Sequence, residues 1–359
     1  MKQLGILIIT YQCERYIAPL LESLAATIDR ENCVIWMLDN ASTDGTVDAI
    51  VREHKRLELP LHVSNISPNI GYARAANRAF AALRKEEPCE YVVMLNPDMV
   101  VHPGWWQPLV AELNKPDVGT ASALLLLPEG TINSRGNALH FLGLGYVQGY
   151  GEPASAVPSQ PELFFGSGAA QAFRTATLDA MNQRLGTDNV FWEDLFIYAE
   201  DTDFGWRMRL AGFDNRLVPA SLVTHDHQFW VPHATVSGER FFYIERNRFL
   251  LMLANFKVAT LLVLLPWLVA SEIALALGVW KLYPRRFKLW LAVWQETRKE
   301  GFWARRRRLQ EGRVANDHEI LEVMTGTIRH GALPFGPWDR RMDAFLRWSH
   351  RLITDAIWW

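Results

Sequence analysis

Apolar residues in the first hundred positions fall into short blocks separated by amphipathic stretches. GILIIT (5–10), CVIWMLD (33–39), LHVSNIS (61–67) and EYVVMLN (90–96) are apolar runs of strand length. Between them, residues 14–29 place Ile17, Leu20, Leu21 and Leu24 at helical spacing, 45–56 can form a helix after the turn residues NASTDGT, and GYARAANRAFAALRKE (71–86) has a strong helical pattern. Strands alternating with helices at this interval predict a doubly wound α/β fold around a mostly parallel sheet. The pattern is less regular between 118 and 190. Beyond the first hundred residues, GSGAAQAFR (166–174) predicts a glycine loop running into a strand, NRLVPASLVTH (215–225) a strand closing at His225, and ERFFYIERNRFLLMLANF (239–256) a helix.

In doubly wound sheets ligands bind at the carboxyl ends of the strands. Thr10 and Tyr11 follow the first strand, Asp39, Asn40, Ser42 and Asp44 the second, Asn69, Gly71 and Tyr72 the third, and Asn96, Pro97 and Asp98 the fourth. Polar and metal-capable groups at four strand ends predict a nucleotide pocket. The dinucleotide fingerprint and the P-loop are both absent after the first strand, which removes most support for a nicotinamide or ATPase reading.

YAEDTD (198–203) crowds Glu200, Asp201 and Asp203 into four positions ahead of FGWRMRLAGF. Carboxylates this close raise one another's pKa unless a cation or a task accounts for them. A helix N-terminus is the structural explanation, since acids in a first turn favour the macrodipole and Arg207, Arg209 and Gly212 suit the other end. On a helix over 201–211, Asp203 turns away from Asp201 and meets Arg207 four residues on.

Charge divides the chain unevenly. Residues 1–280 hold 21 Lys/Arg and 30 Asp/Glu, whereas 281–359 hold 16 and 9, a basic tail of net +7. Trp290, Trp294, Trp303, Trp338, Trp348, Trp358 and Trp359 lie among its arginines, the mixture expected at an anionic lipid surface. No nucleic-acid motif accompanies them. Cys13, Cys33 and Cys89 are odd in number and have no metal-site spacing, so they read as buried thiols of a reducing compartment. MKQLGILIITYQ is too short an apolar run for a signal peptide and places the body in the cytoplasm.

Taken in order, DNASTDGT (39–46), NIGYARAANRA (69–79), LNPD (95–98), GSGAAQAFR, the acidic run at 196–203 and YIERNR (243–248) resemble the family 2 glycosyltransferases of the GT-A fold. The resemblance is to the rhamnosyltransferase-like, galactofuranosyltransferase-related branch and covers about residues 1–256. It implies a catalytic domain over 1–256, with a nucleotide-sugar half at 1–100 and an acceptor half at 101–256, then a helical membrane-associated region at 257–359. It implies an inverting transfer in which Asp201 is the base and Glu200 orients it or contacts the acceptor. Thr10, Tyr11, Asp39, Asn69, Gly71, Arg74, Asn77 and Asn96 are the implied donor contacts. Asp98 is the implied ligand of Mg²⁺ or Mn²⁺. The family's usual first acid is replaced by Asn96, and His225 is the candidate added ligand, with His227 as competitor. The structural alternatives are a turn-capping role for Asp98 and an ordinary buried or surface histidine at 225. Gly166, Ser167 and Gly168 shape the acceptor side, and FWEDLF (191–196) puts Trp192 where the family often has Asp.

The resemblance further implies a nucleotide-diphosphate-sugar donor and a polyprenyl-diphosphate-linked or growing surface glycan as acceptor, with rhamnose from deoxythymidine diphosphate rhamnose as the leading sugar. It places the chain at the cytoplasmic face of the membrane. VATLLVLLPWLVASEIALALGVW (258–280) is long enough to span a bilayer. Glu272, Pro266 and the positive-inside preference instead predict an in-plane or re-entrant segment, with Arg305–Arg308 returning to the cytoplasmic surface; a packed helical domain is the alternative. The rivals for function are a non-catalytic glycan-binding scaffold, favoured by Asn96, and a nucleotidyltransferase, for which ITYQCERY lacks a phosphate-gripping loop.

Overall fold

The computed structural model describes residues 2–157, 163–226, 238–279, 287–327 and 336–359, with the side chains of 238, 274–279 and 287 outside that description. The chain begins with β1 Lys2–Thr10, α1 Glu14–Thr27, β2 Cys33–Asn40, α2 Thr46–Leu57, β3 Leu61–Ile66, α3 Tyr72–Glu86 and β4 Cys89–Leu95. There follow β5 Met99–Val101, α4 Gln107–Leu113, β6 Val118–Leu126 and the short β7 Ile132–Ser134, β8 Asn137–Leu139 and β9 Gly145–Val147. Then come β10 Ala170–Arg174, α5 Thr175–Leu185, α6 Glu200–Leu210 and β11 Asp214–His225. Regular structure in the described residues after that is helical: α7 Gly238–Asn255, α8 Val258–Val279, α9 Phe287–Thr297, α10 Glu300–Gly312, α11 Asp317–Glu322 and α12 Pro337–Ala356.

The main sheet runs β3-β2-β1-β4-β10-β6-β11-β5, with β7 paired to β6. The first four strands are parallel, as the pattern predicts. All eight residues of β2 are buried, the continuous apolar run of a sheet covered on both faces. The other half is mixed: β10 runs antiparallel to both β4 and β6, and β5 antiparallel to β11. Parallel neighbours need a long crossover, usually helical. β5 follows β4 after three residues, and β10 is entered from a loop and leads straight into α5, so neither has one. Strand order reverses between β1 and β4, which puts the crevice at the ends of these two strands.

One face of the sheet packs Ile6, Ile8 and Met37 against α1, α2 and α4. The other packs Leu7, Ile9 and Trp36 into a cluster that continues through α3, α5, α6 and α7 to Leu264, Phe302, Leu309, Ile320 and Ile353 of the later helices. Glu272 of α8 lies 2.6 Å from Arg248 of α7, a buried guanidinium that also meets Glu245 at 2.8 Å and the Leu142 carbonyl at 3.0 Å. The acid inside the apolar segment therefore has a partner on the protein. Among the described residues no helix is long and apolar enough to cross a membrane. The arginine run also departs from expectation. Arg305 and Arg306 are buried, and Arg306 donates to the carbonyls of Leu253, Ala254 and Phe256, closing the end of α7. The three cysteines are buried free thiols, and burial pushes Cys13 and Cys33 up to about 11.

Candidate active site

The loops after β1 and β2 are stitched together by side chains. Asp39 is buried and accepts from Thr10 Oγ1 (2.9 Å), the Ser42 amide (2.8 Å) and Ser42 Oγ (2.6 Å). Gln12, which the sequence reading passed over, donates to Thr43 Oγ1 and accepts from the amides of Thr43 and Asp44. Asp44 accepts from the Thr46 amide, the turn-forming role expected of it. Tyr11 stands at the rim, 51 % exposed.

Asn40 joins the second and third strand ends, donating to Asn69 Oδ1 (3.1 Å) and accepting from the Ile70 amide (3.0 Å); Asn69 Oδ1 also accepts from the Gly71 amide (2.9 Å). Gly71 has φ +84°, and a Cβ there would lie 2.7 Å from the Phe196 carbonyl oxygen. The close approach that requires glycine here is made by the loop before α6. Asn77 is buried with its amide committed: it donates to the Phe191 carbonyl and accepts from the Phe191 amide, both at 2.9 Å. That is a backbone clamp, and of the two candidates on α3 for a donor contact it leaves Arg74 with the freer side chain. Arg74, one turn earlier, is half exposed and 3.7 Å from Glu193.

Pairing of β5 with β11 sets His225 opposite Met99, which brings His225 Nε2 to 3.3 Å from Asp98 Oδ2. His225 is buried, and its Nδ1 lies 3.0 Å from Asn133 Oδ1. With the proton on Nδ1 donated to Asn133, Nε2 is left as a lone-pair donor facing the carboxylate, the usual outer-shell arrangement of a metal-binding imidazole. Asp98 and His225 thus fit as two ligands of a divalent cation, which would leave its remaining positions to phosphate and water oxygens. Among the described residues no cluster of three or more His, Cys, Asp or Glu completes a site from protein alone. His227 lies outside the described residues. Asn96 gives its amide to the Ala169 carbonyl (2.9 Å) and its side chain is partly exposed.

The acidic turn is the most constrained part of the site. Phe196, Tyr198 and Ala199 have φ of +66°, +66° and +65°. Non-glycine residues in this region cost about 1–3 kcal/mol each and persist where the surroundings over-determine them. Asp201 Oδ2 accepts from the Gly168 amide (3.2 Å) and Oδ1 from the Thr202 amide (2.7 Å). Burial raises the Asp201 pKa, partly offset by those amides. Burial, then the charge of Asp201, pushes Glu200 up to about 8, and Glu200 Oε2 is buried with no hydrogen-bond partner among the described residues. Burial thus favours a proton on this pair of adjacent acids, and the Gly168 and Thr202 amides oppose it at Asp201. The Tyr72 phenol is raised by burial and then by Glu200, Asp201 and Asp98, so these three acids all bear on one ring of α3. Asp203 is fully buried between Arg207 (2.8 Å) and Arg305 (2.8 Å), confirming its pairing with Arg207.

In the glycine loop before β10 a Cβ at Gly166 would overlap Ser122, and one at Gly168 would come 3.1 Å from Asp201 Cβ. The first keeps the loop flat on the sheet, and the second lets its amide reach the carboxylate. Ser167 is buried between them. Trp192 is only 8 % exposed: its ring lies under the Arg305 guanidinium (4.4 Å) and tilts against Phe302. The residue at the position where the family often has Asp, an expected part of the acceptor side, thus packs against α10.

The family model described as Glycosyl transferase family 2 matches residues 5–180. The chain carries a family 2 glycosyltransferase domain. It is 28 % identical over 243 residues to an N-acetylglucosaminyl-diphospho-decaprenol L-rhamnosyltransferase of Mycobacterium tuberculosis, covering 62 % of this chain and 75 % of that one. Solved structures share its fold. GalNAc-T7 with UDP, GalNAc and Mn²⁺ superposes with a TM-score of 0.53 at 16 % identity, over 72 % of this chain and about half (49 %) of that one. A Pyrobaculum calidifontis mannosyltransferase with GDP-Man and Mn²⁺ gives 0.50 at 17 %, covering 86 % and 85 %. S. aureus TarS 1–349 gives 0.50 at 15 %, covering 99 % and 90 %. The matched segment of this glycosyltransferase domain, 5–180, holds the ends of β1 to β4 and the Gly166–Gly168 loop, while Asp201 and His225 lie beyond it.

Proposed function

We propose that this enzyme transfers rhamnose, with inversion, from deoxythymidine diphosphate rhamnose to a polyprenyl-diphosphate-linked glycan at the cytoplasmic membrane face. The observation that carries the mechanism is the Asp201 carboxyl, oriented by the Gly168 and Thr202 amides beside Glu200, whose own carboxyl burial pushes up to about 8. Asp201 takes the proton of the acceptor hydroxyl as that oxygen attacks the anomeric carbon. The bond to the diphosphate breaks on the opposite face, and a base placed this way supplies roughly 10²–10⁴ in rate. Glu200 directs its proton to the acceptor and keeps a second negative charge away from the base. The crevice after β1 and β2 takes the nucleotide, with Thr10 and Asp39 forming its floor and Tyr11 and Arg74 its accessible contacts. Asp98 and His225 would hold Mg²⁺ or Mn²⁺, which when bound neutralises charge on the departing diphosphate. The sugar and the lipid-linked acceptor are taken from the mycobacterial relative.

The membrane part of the reading rests on two helix faces. Val258, Leu262, Leu265, Val269 and Ile273 are exposed along one stripe of α8. Trp338, Met342, Phe345, Trp348 and Leu352 are exposed along one stripe of α12, among Arg340, Arg341, Arg347 and Arg351. Trp359 Nε1 meets Thr260 Oγ1 at 3.0 Å, joining the end of one helix to the start of the other. Apolar stripes flanked by arginine suit a helix lying in the lipid interface.

The deciding experiment is a transfer screen with a panel of nucleotide sugars, a polyprenyl-diphospho-N-acetylglucosamine acceptor, and Mg²⁺, Mn²⁺ or chelator. Metal-dependent turnover of the rhamnosyl donor, reduced at least 100-fold in Asp201→Asn, is the expected result. Turnover of a different donor alone would overturn the choice of sugar, and an active Asp201→Asn would overturn the base.

A further inference from the structure

We infer that Asn247, in the YIERNR stretch of α7, is the positioning residue that holds Glu200 and Asp201 in their working geometry; the inference rests on Asp201 being the base. Asn247 is fully buried, and its Nδ2 donates to three successive parts of the acidic turn: the carbonyls of Leu195 (3.0 Å), Ile197 (3.0 Å) and Tyr198 (2.7 Å). Its orientation is fixed from the other side, because Oδ1 accepts from Arg246 Nη1 at 2.8 Å. Three carbonyls on one end and a guanidinium on the other leave a single way round for the amide.

The turn it holds contains the three left-handed residues and ends at the first residue of α6, Glu200. Nothing in the local sequence favours that backbone: Phe196, Tyr198 and Ala199 are not residues that adopt positive φ readily. The α6 N-terminus has no side-chain cap either. The conformation must be imposed from outside, and the contacts that impose it come from two directions. On the donor side, Phe196 rests against Gly71 and its carbonyl accepts from the Ala73 amide at 3.2 Å. On the other side stand Asn247 and Arg246, the latter also donating to the Asp194 carbonyl at 2.9 Å. Asn247 is the only side chain among the described residues that binds carbonyls on both sides of the strained segment's centre. It touches no reacting group, so its effect on chemistry passes through the turn.

The test uses the full chain with Asn247→Ala and Asn247→Asp, which remove the donors by truncation and by an isosteric acceptor. Met252→Ala, buried on the same helix beside Gly143 and with an apolar side chain that gives the turn no hydrogen bond, controls for loss of helix packing. Hydrogen–deuterium exchange over residues 194–203 reads the clamp without reference to any substrate. Both Asn247 variants are expected to exchange at least tenfold faster there, with Met252→Ala unchanged. With deoxythymidine diphosphate rhamnose and polyprenyl-diphospho-N-acetylglucosamine, kcat is expected to fall at least 30-fold at a donor KM within threefold. The acidic limb of the pH profile should move to lower pH as the two carboxyls become hydrated. Unchanged exchange in the Asn247 variants, or a kcat loss and pH limb matched by Met252→Ala, would overturn the inference. Fast exchange in the Asn247 variants together with a fully active Asp201→Asn would instead refute the assignment of the base.

Discussion

Arg305 on α10 places Nη2 2.8 Å from Oδ1 of Asp203, a residue two positions past the proposed base and 102 positions away in sequence. The same guanidinium covers the Trp192 ring at 4.4 Å. The later helices thus reach α6 through a buried ion pair. Burial opposes ionisation of Asp203, but the charges of Arg207 and Arg305 outweigh it and hold its carboxyl below the usual range. A depressed carboxylate contributes stability above its unfolded pKa and loses it as pH falls through the folded one. Arg305→Met leaves Asp203 with Arg207 alone, and a loss of about 2–4 kcal/mol is expected. Urea unfolding at pH 7 should show it, and the gap to wild type should close as pH drops below about 4.

Glu200 predicts the opposite pH dependence. Its carboxyl is raised from 4.5 to about 8, so the folded state binds the extra proton. The stability this provides is complete below the unfolded value and declines as pH rises through 8. Glu200→Gln, which mimics the protonated acid, should therefore match wild type at pH 5 and unfold several degrees higher than it at pH 8.5, a shift on the order of 4 °C. Differential scanning fluorimetry across that interval checks it. Equal shifts at both pH values would contradict the protonation assigned here.

For the cation site, Asp98→Ala and His225→Ala should each raise the Mn²⁺ concentration for half-maximal activity by 100-fold or more. Asn133→Ala, which removes the partner of His225 Nδ1, should cost less, about 10–100-fold in metal affinity. Titration of activity against free Mn²⁺ separates the three. An unaltered curve for Asn133→Ala would mean that the imidazole needs no orientation.

The exposed stripe of α12 carries the membrane prediction. Trp338 is 78 % exposed and Trp348 more than half exposed. Trp338→Ser with Trp348→Ser should reduce sedimentation with vesicles containing 30 % phosphatidylglycerol at least tenfold, with the unfolding temperature kept within 2 °C, since neither ring packs in the core. Raising salt should weaken binding of the wild type through its arginines. Equal sedimentation of both proteins would remove α12 from the lipid-facing surface.

The parallel half of the sheet was readable because each of its strands is a continuous apolar run closed by polar residues, as at Ile9–Thr10 and Leu38–Asp39. β10 and β5 were harder, since an antiparallel insertion depends on how the chain enters the sheet and leaves no mark on the strand's own residues. The Asp98–His225 pairing was expected, and strand register delivers it. The structural partners of Asn77 and Trp192 were not legible, for a common reason. Each has the chemistry of a binding residue, but the groups that use it, the Phe191 backbone and Arg305, lie more than a hundred positions away along the chain. Asn247 was visible only as part of a motif without a role. The turn it holds becomes demanding only once Phe196, Tyr198 and Ala199 are seen to be left-handed.

The pairing of Glu272 with Arg248 also constrains how this chain can diverge. A lineage that replaced Glu272 with leucine would give α8 a smoother apolar surface, and would leave Arg248 buried with one carboxylate fewer. Substitution at the two positions should therefore be correlated. Among relatives, an acid at the position of 272 together with an arginine at 248 would mark those in which this helix stays docked on the enzyme's own body. Joint loss of both charges would mark those free to send it into the bilayer.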